Sequence, residues 1–329
     1  MDFKEHRIVV TGGAGFIGSH VTEKLVSLGN DVVVADNLER GELRNIENFQ
    51  DKITFENVDL RNQYDTEQLI QEDDLVFHLA FKVGGIPYTG APAYFSEIWT
   101  DGVRINTNVI DACHKKGASR LLFTSSACVY PGHLQKLGHP PLREEQVLPA
   151  MPDDAYGWSK LVGELQCKWY YENHGLESVI VRPFNVIGER EYLDRALGHF
   201  APVMCRKVLE WPDKPFTVHG DGSRIRSFTY VEDVVDMMIL SMQKISDARS
   251  FNVGSHEEAT VKNVVDKIIA LSGVDVEPEY ISDYPVTGVE RRVPDLTRTS
   301  KILDWNPKYS LDYGLERTFD WVKCFLNER

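Results

Sequence analysis

At 329 residues, with 42% hydrophobic and 26% charged residues, the chain is long enough to bury one large core or two smaller ones. A formal net charge of −14 excludes a binder that grips nucleic acid through a broad basic face, so any phosphate must be met by a local site. Five cysteines without a C-x-x-C pair, and no apolar run near roughly 18 residues, argue against a disulfide framework, a zinc cluster or other metal site, and a membrane span. The opening MDFKEHRIVV carries no basic leader, so a reducing cytoplasmic setting is expected.

Aliphatic and β-branched runs at residues 8–11, 32–35, 53–58, 75–79, 121–125 and 179–181 read as strands, most of them apolar on both faces. Helical patterns separate them, notably at 102–116 and 156–174. The second carries Leu161, Val162, Leu165 and Trp169 at turn-like spacing, and the two together could build a dimer face. Alternation of this kind predicts an α/β fold with a doubly wound parallel sheet. Beyond Asn185 the pattern loosens into Gly-, Pro- and charge-rich sequence before further strand and helix signals, which predicts a smaller second α/β domain interleaved with the first.

The first strand runs into Gly12, Gly15 and Gly18 of TGGAGFIG, and a helix follows from about Phe16 and Ile17. Glycines allow a tight turn and close backbone approach, while the helix start offers unpaired N–H groups to a pyrophosphate. Glycine also serves plain turns; the order strand, loop, helix favours a dinucleotide. Asp36, about 20 residues beyond the loop, ends the second strand, where a carboxylate accepts ribose hydroxyls and repels an extra phosphate. NAD is therefore expected over NADP, although nearby Arg40 could accommodate a 2′-phosphate. Asn37, Asp59, Leu60 and Ala80, at the following strand ends, with Tyr156 and Lys160 further on, complete the expected cofactor set. The expected boundaries are 1–184 with 224–255 for a Rossmann domain that binds NAD, and 185–223 with 256–329 for the substrate.

Tyr156 and Lys160 are four apart, so a helix puts them on one face, where an ammonium favours a phenolate. Ser126, at the end of a strand, is placed to hydrogen-bond a reacting oxygen. The pair Y-x-x-x-K recurs by chance in helices; its order after a glycine loop and a strand-end serine points to hydride transfer at a hydroxyl-bearing carbon.

These motifs, with RPFN at 182–185 and RSFTYVEDV from Arg226, resemble the extended short-chain dehydrogenase/reductase family, in its nucleotide-sugar branch, over nearly the whole chain. The resemblance implies a tightly held dinucleotide, a nucleoside-diphosphate sugar and a homodimer. Sugar 4,6-dehydratases carry an acidic pair where this chain has Ala127 and Cys128, so dehydration is disfavoured. A cysteine there is similar to the GDP-mannose 3,5-epimerase and GDP-fucose synthase groups. AFKVGGI looks like the second group; SSACVYP, PDDAYGWSK and HGDGSRIRSF look like the first.

Oxidising one ring hydroxyl to a ketone acidifies its neighbours, so Cys128 and a second acid/base could invert them. His199 matches the synthase histidine, while the lysine of the 3,5-epimerases falls at Phe200. Arg226 and Arg292 are the expected diphosphate ligands, Asn185 a donor beside them, and Gly84 and Gly85 a close approach to the hexose. The expected activity is 3,5-epimerisation of a GDP-hexose through a 4-keto sugar. A 3,5-epimerase-4-reductase using NADPH, another 4-epimerase of nucleotide sugars, and a non-catalytic dinucleotide binder are the alternatives.

Overall fold

A computed structural model describes residues 3–281 and 288–328. Seven strands form one sheet: β1 (Arg7–Thr11), β2 (Asp31–Asp36), β3 (Ile53–Asn57), β4 (Leu75–His78), β5 (Arg120–Thr124), β6 (Ser178–Pro183) and β7 (Asp247–Val253). Their order is β7-β6-β5-β4-β1-β2-β3, and every pairing is parallel. The expected strands are the first six, each within one residue at its start.

Parallel pairing needs crossovers, and these lay helices on both faces of the sheet. Hence Val32, Val33, Val34, Leu75, Val76, Phe77, Leu121, Leu122 and Phe123 are all buried. The principal helices are α1 (Phe16–Ser27), α2 (Gln63–Leu69), α3 (Phe95–Lys116), α4 (Ala155–His174), α5 (Phe200–Leu209), α6 (Val231–Lys244), α7 (Val261–Ser272) and α8 (Leu311–Asn327).

Helix α3 begins seven residues before the expected 102. Gly102, which reads as a helix start, lies inside it because Phe81 packs on that spot: a Cβ would stand 2.5 Å from the ring. Helix α4 is capped by Asp154, whose carboxylate accepts from Gly157 N at 2.7 Å, and it ends at Gly175 with φ +74°. Its Leu161 is buried, whereas Trp158 and Trp169 are exposed. Arg182, from RPFN, ties β6 to α4 through two bonds to Glu164 at 2.8 and 2.6 Å, both side chains being buried.

A second core, with Met204, Val208, Val218, Val264, Ile268, Leu315 and Phe319, joins α5, α7 and α8. Beside it, Ile225–Ser227 pairs antiparallel with Glu258–Thr260 and parallel with Arg291–Arg292. Thus the segment expected to rejoin the larger body at 224 first serves this small sheet, and α6 then returns to the large one. Among the described residues no helix is long and apolar enough to cross a membrane.

Candidate active site

Strand order reverses beside β1, which is flanked by β2 and β4, and such a switch opens a crevice at the carboxyl ends of the strands. One continuous cleft lies there. It is lined by the residues that follow β1 to β6, and by every residue proposed above from the sequence as a cofactor, catalytic or substrate contact.

At its start, Gly12 takes φ +71° and Gly18 abuts its carbonyl, where a Cβ would lie 2.0 Å from the oxygen. Only glycine lets α1 begin so close to the loop. Gly15 caps α1 in an extended conformation with no side-chain bond, so the first N–H groups stay free of side-chain acceptors. That arrangement fits a pyrophosphate. Half-buried Phe16 and Ile17 wall it.

Asp36 accepts from Ala14 N at 3.1 Å and Leu38 N at 2.8 Å. Burial pushes its carboxyl up, and those two bonds oppose the rise. Each oxygen keeps a lone pair for a ribose hydroxyl. Arg40 does not pair with it; the guanidinium lies 4.4 Å from the Tyr192 ring centroid and 5.3 Å from that of Tyr88. Exposed Asn37 accepts from Glu39 N, and Asp59 is occupied by Arg61, which bonds both its oxygens at 2.6 to 3.1 Å. Leu60 is buried beside it, and Ala80 N donates to Thr11 Oγ1 at 3.3 Å.

Ser126 follows β5 and caps the short 3-10 turn Ala127–Val129, its Oγ accepting from Cys128 N at 3.1 Å. That turn rests directly on the first turn of α4, since a Cβ on Gly157 would meet the Cys128 carbonyl at 2.2 Å. Ser126, Cys128 and Tyr156 are thereby drawn together. The Tyr156 ring meets Phe81 edge-on at 5.0 Å. Burial pushes its phenol up, as does the neighbouring Cys128, while a Ser126 hydrogen bond and Arg292 pull it down.

Lys160, one turn along, is buried and donates to the Thr124 carbonyl at 2.8 Å. Burial brings its ammonium down to about 7 against the pull of Glu164. Its proton is thus easier to lose than that of a free lysine, and Nζ lies 5.9 Å from the Tyr156 ring centroid.

On the substrate side, three of the expected groups are engaged within the protein while lining the cleft. Arg292 points one nitrogen at the thiol, Nη1 to Cys128 Sγ at 3.2 Å, and gives Nε to Gln135 Oε1 at 2.5 Å. Arg226 spends its guanidinium on the carbonyls of Ile225, Val289 and Glu290 at 2.8 to 3.3 Å, and burial lowers it to about 9. Gly84 and Gly85 make room for protein: Cβ atoms there would meet the Leu197 and Gly198 carbonyls at 2.5 and 2.3 Å. That contact seats the segment leading to His199. Asn185 Oδ1 is buried with no partner among the described residues, which leaves an acceptor for a ligand.

Burial raises the Cys128 thiol, countered by Arg292 and reinforced by Asp154. His199, half-buried at the start of α5, holds Nδ1 3.1 Å from Glu191 Oε1. Burial works against its charged ring, but the Glu191 carboxylate prevails and raises it. Glu191→Gln is thus expected to move the His199 ring titration to lower pH, because burial and Arg40 are then unopposed; NMR of the ring protons across pH 5 to 9 checks this.

Gln135, Asp154, Glu191, Phe81 and Thr124 escaped the reading of the motifs. Asp154 alone had a local signal, an acidic cap immediately before a helical pattern.

The model of the NAD dependent epimerase/dehydratase family matches residues 8–254. A GDP-mannose 3,5-epimerase 1 of Oryza sativa subsp. indica is 31% identical over 317 residues, covering 96% of this chain and 82% of the rice protein. A UDP-N-acetyl-alpha-D-glucosaminuronate decarboxylase of Bacillus cytotoxicus is 30% identical over 337 residues, covering 98% and 99%. The crystal structure of a UDP-glucuronic acid 4-epimerase from Bacillus cereus, in complex with UDP-glucuronic acid and NAD, superposes with a TM-score of 0.85 at 28% identity, covering 97% and 99%. With a seven-stranded parallel sheet, a glycine loop at the head of α1 and a serine, tyrosine and lysine on one cleft, the chain belongs to the NAD dependent epimerase/dehydratase family of enzymes.

Proposed function

We propose that the protein epimerises a nucleoside-diphosphate hexose through a transient 4-keto sugar, inverting positions 3 and 5 of a GDP-hexose. The observation that carries this reading is the Cys128 thiol, held by an arginine donor beside Ser126 and Tyr156 on the cofactor cleft. The glycine loop and Asp36 would hold NAD, which when bound would accept the hydride and later return it.

Tyr156 takes the proton of the C4 hydroxyl as the C4–H bond gives up its hydride, and Ser126 hydrogen-bonds the same oxygen. Lys160 supports the tyrosine from one turn away. The resulting ketone acidifies C3–H and C5–H, and Cys128 and His199 exchange those protons from opposite sides of the ring. Return of hydride and proton to C4 leaves no net redox change. Asn185, Arg292 and Arg226 line the diphosphate end, with Arg226 bracing the strand that carries Arg292.

The rice relative supports guanosine as the base, whereas relatives named for UDP-sugars are similarly close and support a second reading with uridine. The larger sheet is read as the NAD domain and the smaller core as the substrate domain. Exposed Trp99, Trp158 and Trp169 on α3 and α4 support a homodimer across those helices, and five unpaired cysteines support a cytoplasmic setting. Incubation with GDP-mannose, UDP-glucose and UDP-glucuronate in deuterated water tests the reading by NMR. Deuterium is expected at C3 and C5 of the GDP-sugar; entry into a UDP-sugar alone would change the base, and entry into none would overturn the carbon-acid step.

A further inference from the structure

One buried side chain reaches the thiol by a route that no motif contains. Gln135 is fully buried and follows the 3-10 turn Gly132–Leu134. Its Nε2 donates to the Tyr130 carbonyl at 2.9 Å and its Oε1 accepts from Arg292 Nε at 2.5 Å. Its own carbonyl accepts from Glu290 N at 2.8 Å and Arg291 N at 3.0 Å. One residue thus docks both the strand Arg291–Arg292 and the guanidinium that the strand carries.

A guanidinium is planar, so an acceptor fixing Nε also fixes where the Nη nitrogens point. Here Nη1 falls 3.2 Å from Cys128 Sγ. The amide of Gln135 is neutral and leaves the cation's full charge to the sulfur, which a carboxylate in its place would share. The charged and titratable groups facing the thiol are Arg292 and Arg226 from the small sheet, and Asp154 and Tyr156 from the entry to α4. Of these, Arg292 alone donates to the sulfur among the described residues.

We propose that Gln135 is a positioning residue, which holds the Arg292 guanidinium on Cys128 and thereby favours the thiolate against the burial of the sulfur. This rests on the reading of Cys128 as a proton carrier. The arrangement gives the carbon-acid step a thiol that can both lose and regain a proton, in a pocket whose dryness would otherwise lock it as the neutral acid.

The test is the rate of Cys128 alkylation by iodoacetamide from pH 6 to 10 in the full-length protein, followed by peptide mass spectrometry. Exposed Cys324 serves as the reference thiol in the same digest. Gln135→Met and Arg292→Met are each expected to slow alkylation at pH 7 by on the order of tenfold, one unit of thiol titration. The double variant should match Arg292→Met, since both changes remove the same contact.

Gln135→Glu, which keeps an acceptor on Nε if the methionine variant fails to fold, should also slow the reaction by drawing the guanidinium charge to itself. A wild-type alkylation profile in either folded Gln135 variant, or shifts that add in the double variant, would overturn the proposal. The readout needs no sugar, so positioning that holds in a protein without deuterium exchange would sink the function and not the contact.

Discussion

Tyr156→Phe is expected to lower turnover of the nucleotide sugar by on the order of 10²- to 10⁴-fold while leaving the fold and the cofactor content unchanged. The change deletes one oxygen and keeps the ring, so the edge-on contact with Phe81 at 5.0 Å survives. What is lost is the acceptor of the hydroxyl proton, and no other group on the cleft replaces it. Lys160 is tied to the Thr124 carbonyl, and the Ser126 hydroxyl is too weak an acid and base to act alone. Epimer formation by NMR, with NAD quantified after denaturation, checks the outcome. A loss under tenfold would remove Tyr156 from the chemistry.

The same variant has a second signature. Burial holds the phenol well above its ordinary range, so the wild-type rate should climb with pH as the proton becomes easier to remove. Tyr156→Phe should lose that climb along with the rate. A residue that merely packed against Phe81 would leave the pH profile of the remaining activity untouched.

The large sheet was legible because five of its strands are short aliphatic runs buried on both faces, a pattern that periodicity finds directly, while edge strand β3 alternates half-buried and exposed residues. Strand β7 was not. Arg249 and Ser250 interrupt it, Ala248 adopts φ +56°, the register slips between Asp247 and Arg249, and its large apolar residues are only Phe251 and Val253, separated by Asn252. Gly102 misled for a related reason: its role is set by Phe81, which packs on it from another loop.

The site divides along the same line. Groups that depend on chain order, namely the glycine loop, Ser126, Tyr156 and Lys160, were readable in the sequence. Contacts between distant segments were not, and Arg292 meets Cys128 across 164 positions and Gln135 across 157. An arginine on a loop says only that a partner with lone pairs is near. Whether that partner is a phosphate, a carbonyl or a thiol is decided by the pairing of Ile225–Ser227 with Arg291–Arg292, which no local pattern encodes.

Cys128→Ala separates the two halves of the proposed chemistry. Oxidation at C4 uses Tyr156 and Ser126, and both remain; the alanine also removes a neighbour that raises the phenol. The ketone should therefore still form, and quenching with borodeuteride should place a label at C4 of the sugar. Solvent deuterium at the carbon served by the thiol should fall by on the order of 10²- to 10⁴-fold, because a positioned acid/base has gone. Tyr156→Phe, by contrast, should lose both signals, since without the ketone no adjacent proton is acidic. Cys128→Ser should behave like the alanine variant, as an alcohol is a far weaker acid than a thiol and gains little from Arg292. Wild-type deuterium uptake in Cys128→Ala would show that the arginine-held sulfur takes no part at carbon, and the protein would then be a 4-epimerase whose single inverted centre is the oxidised one.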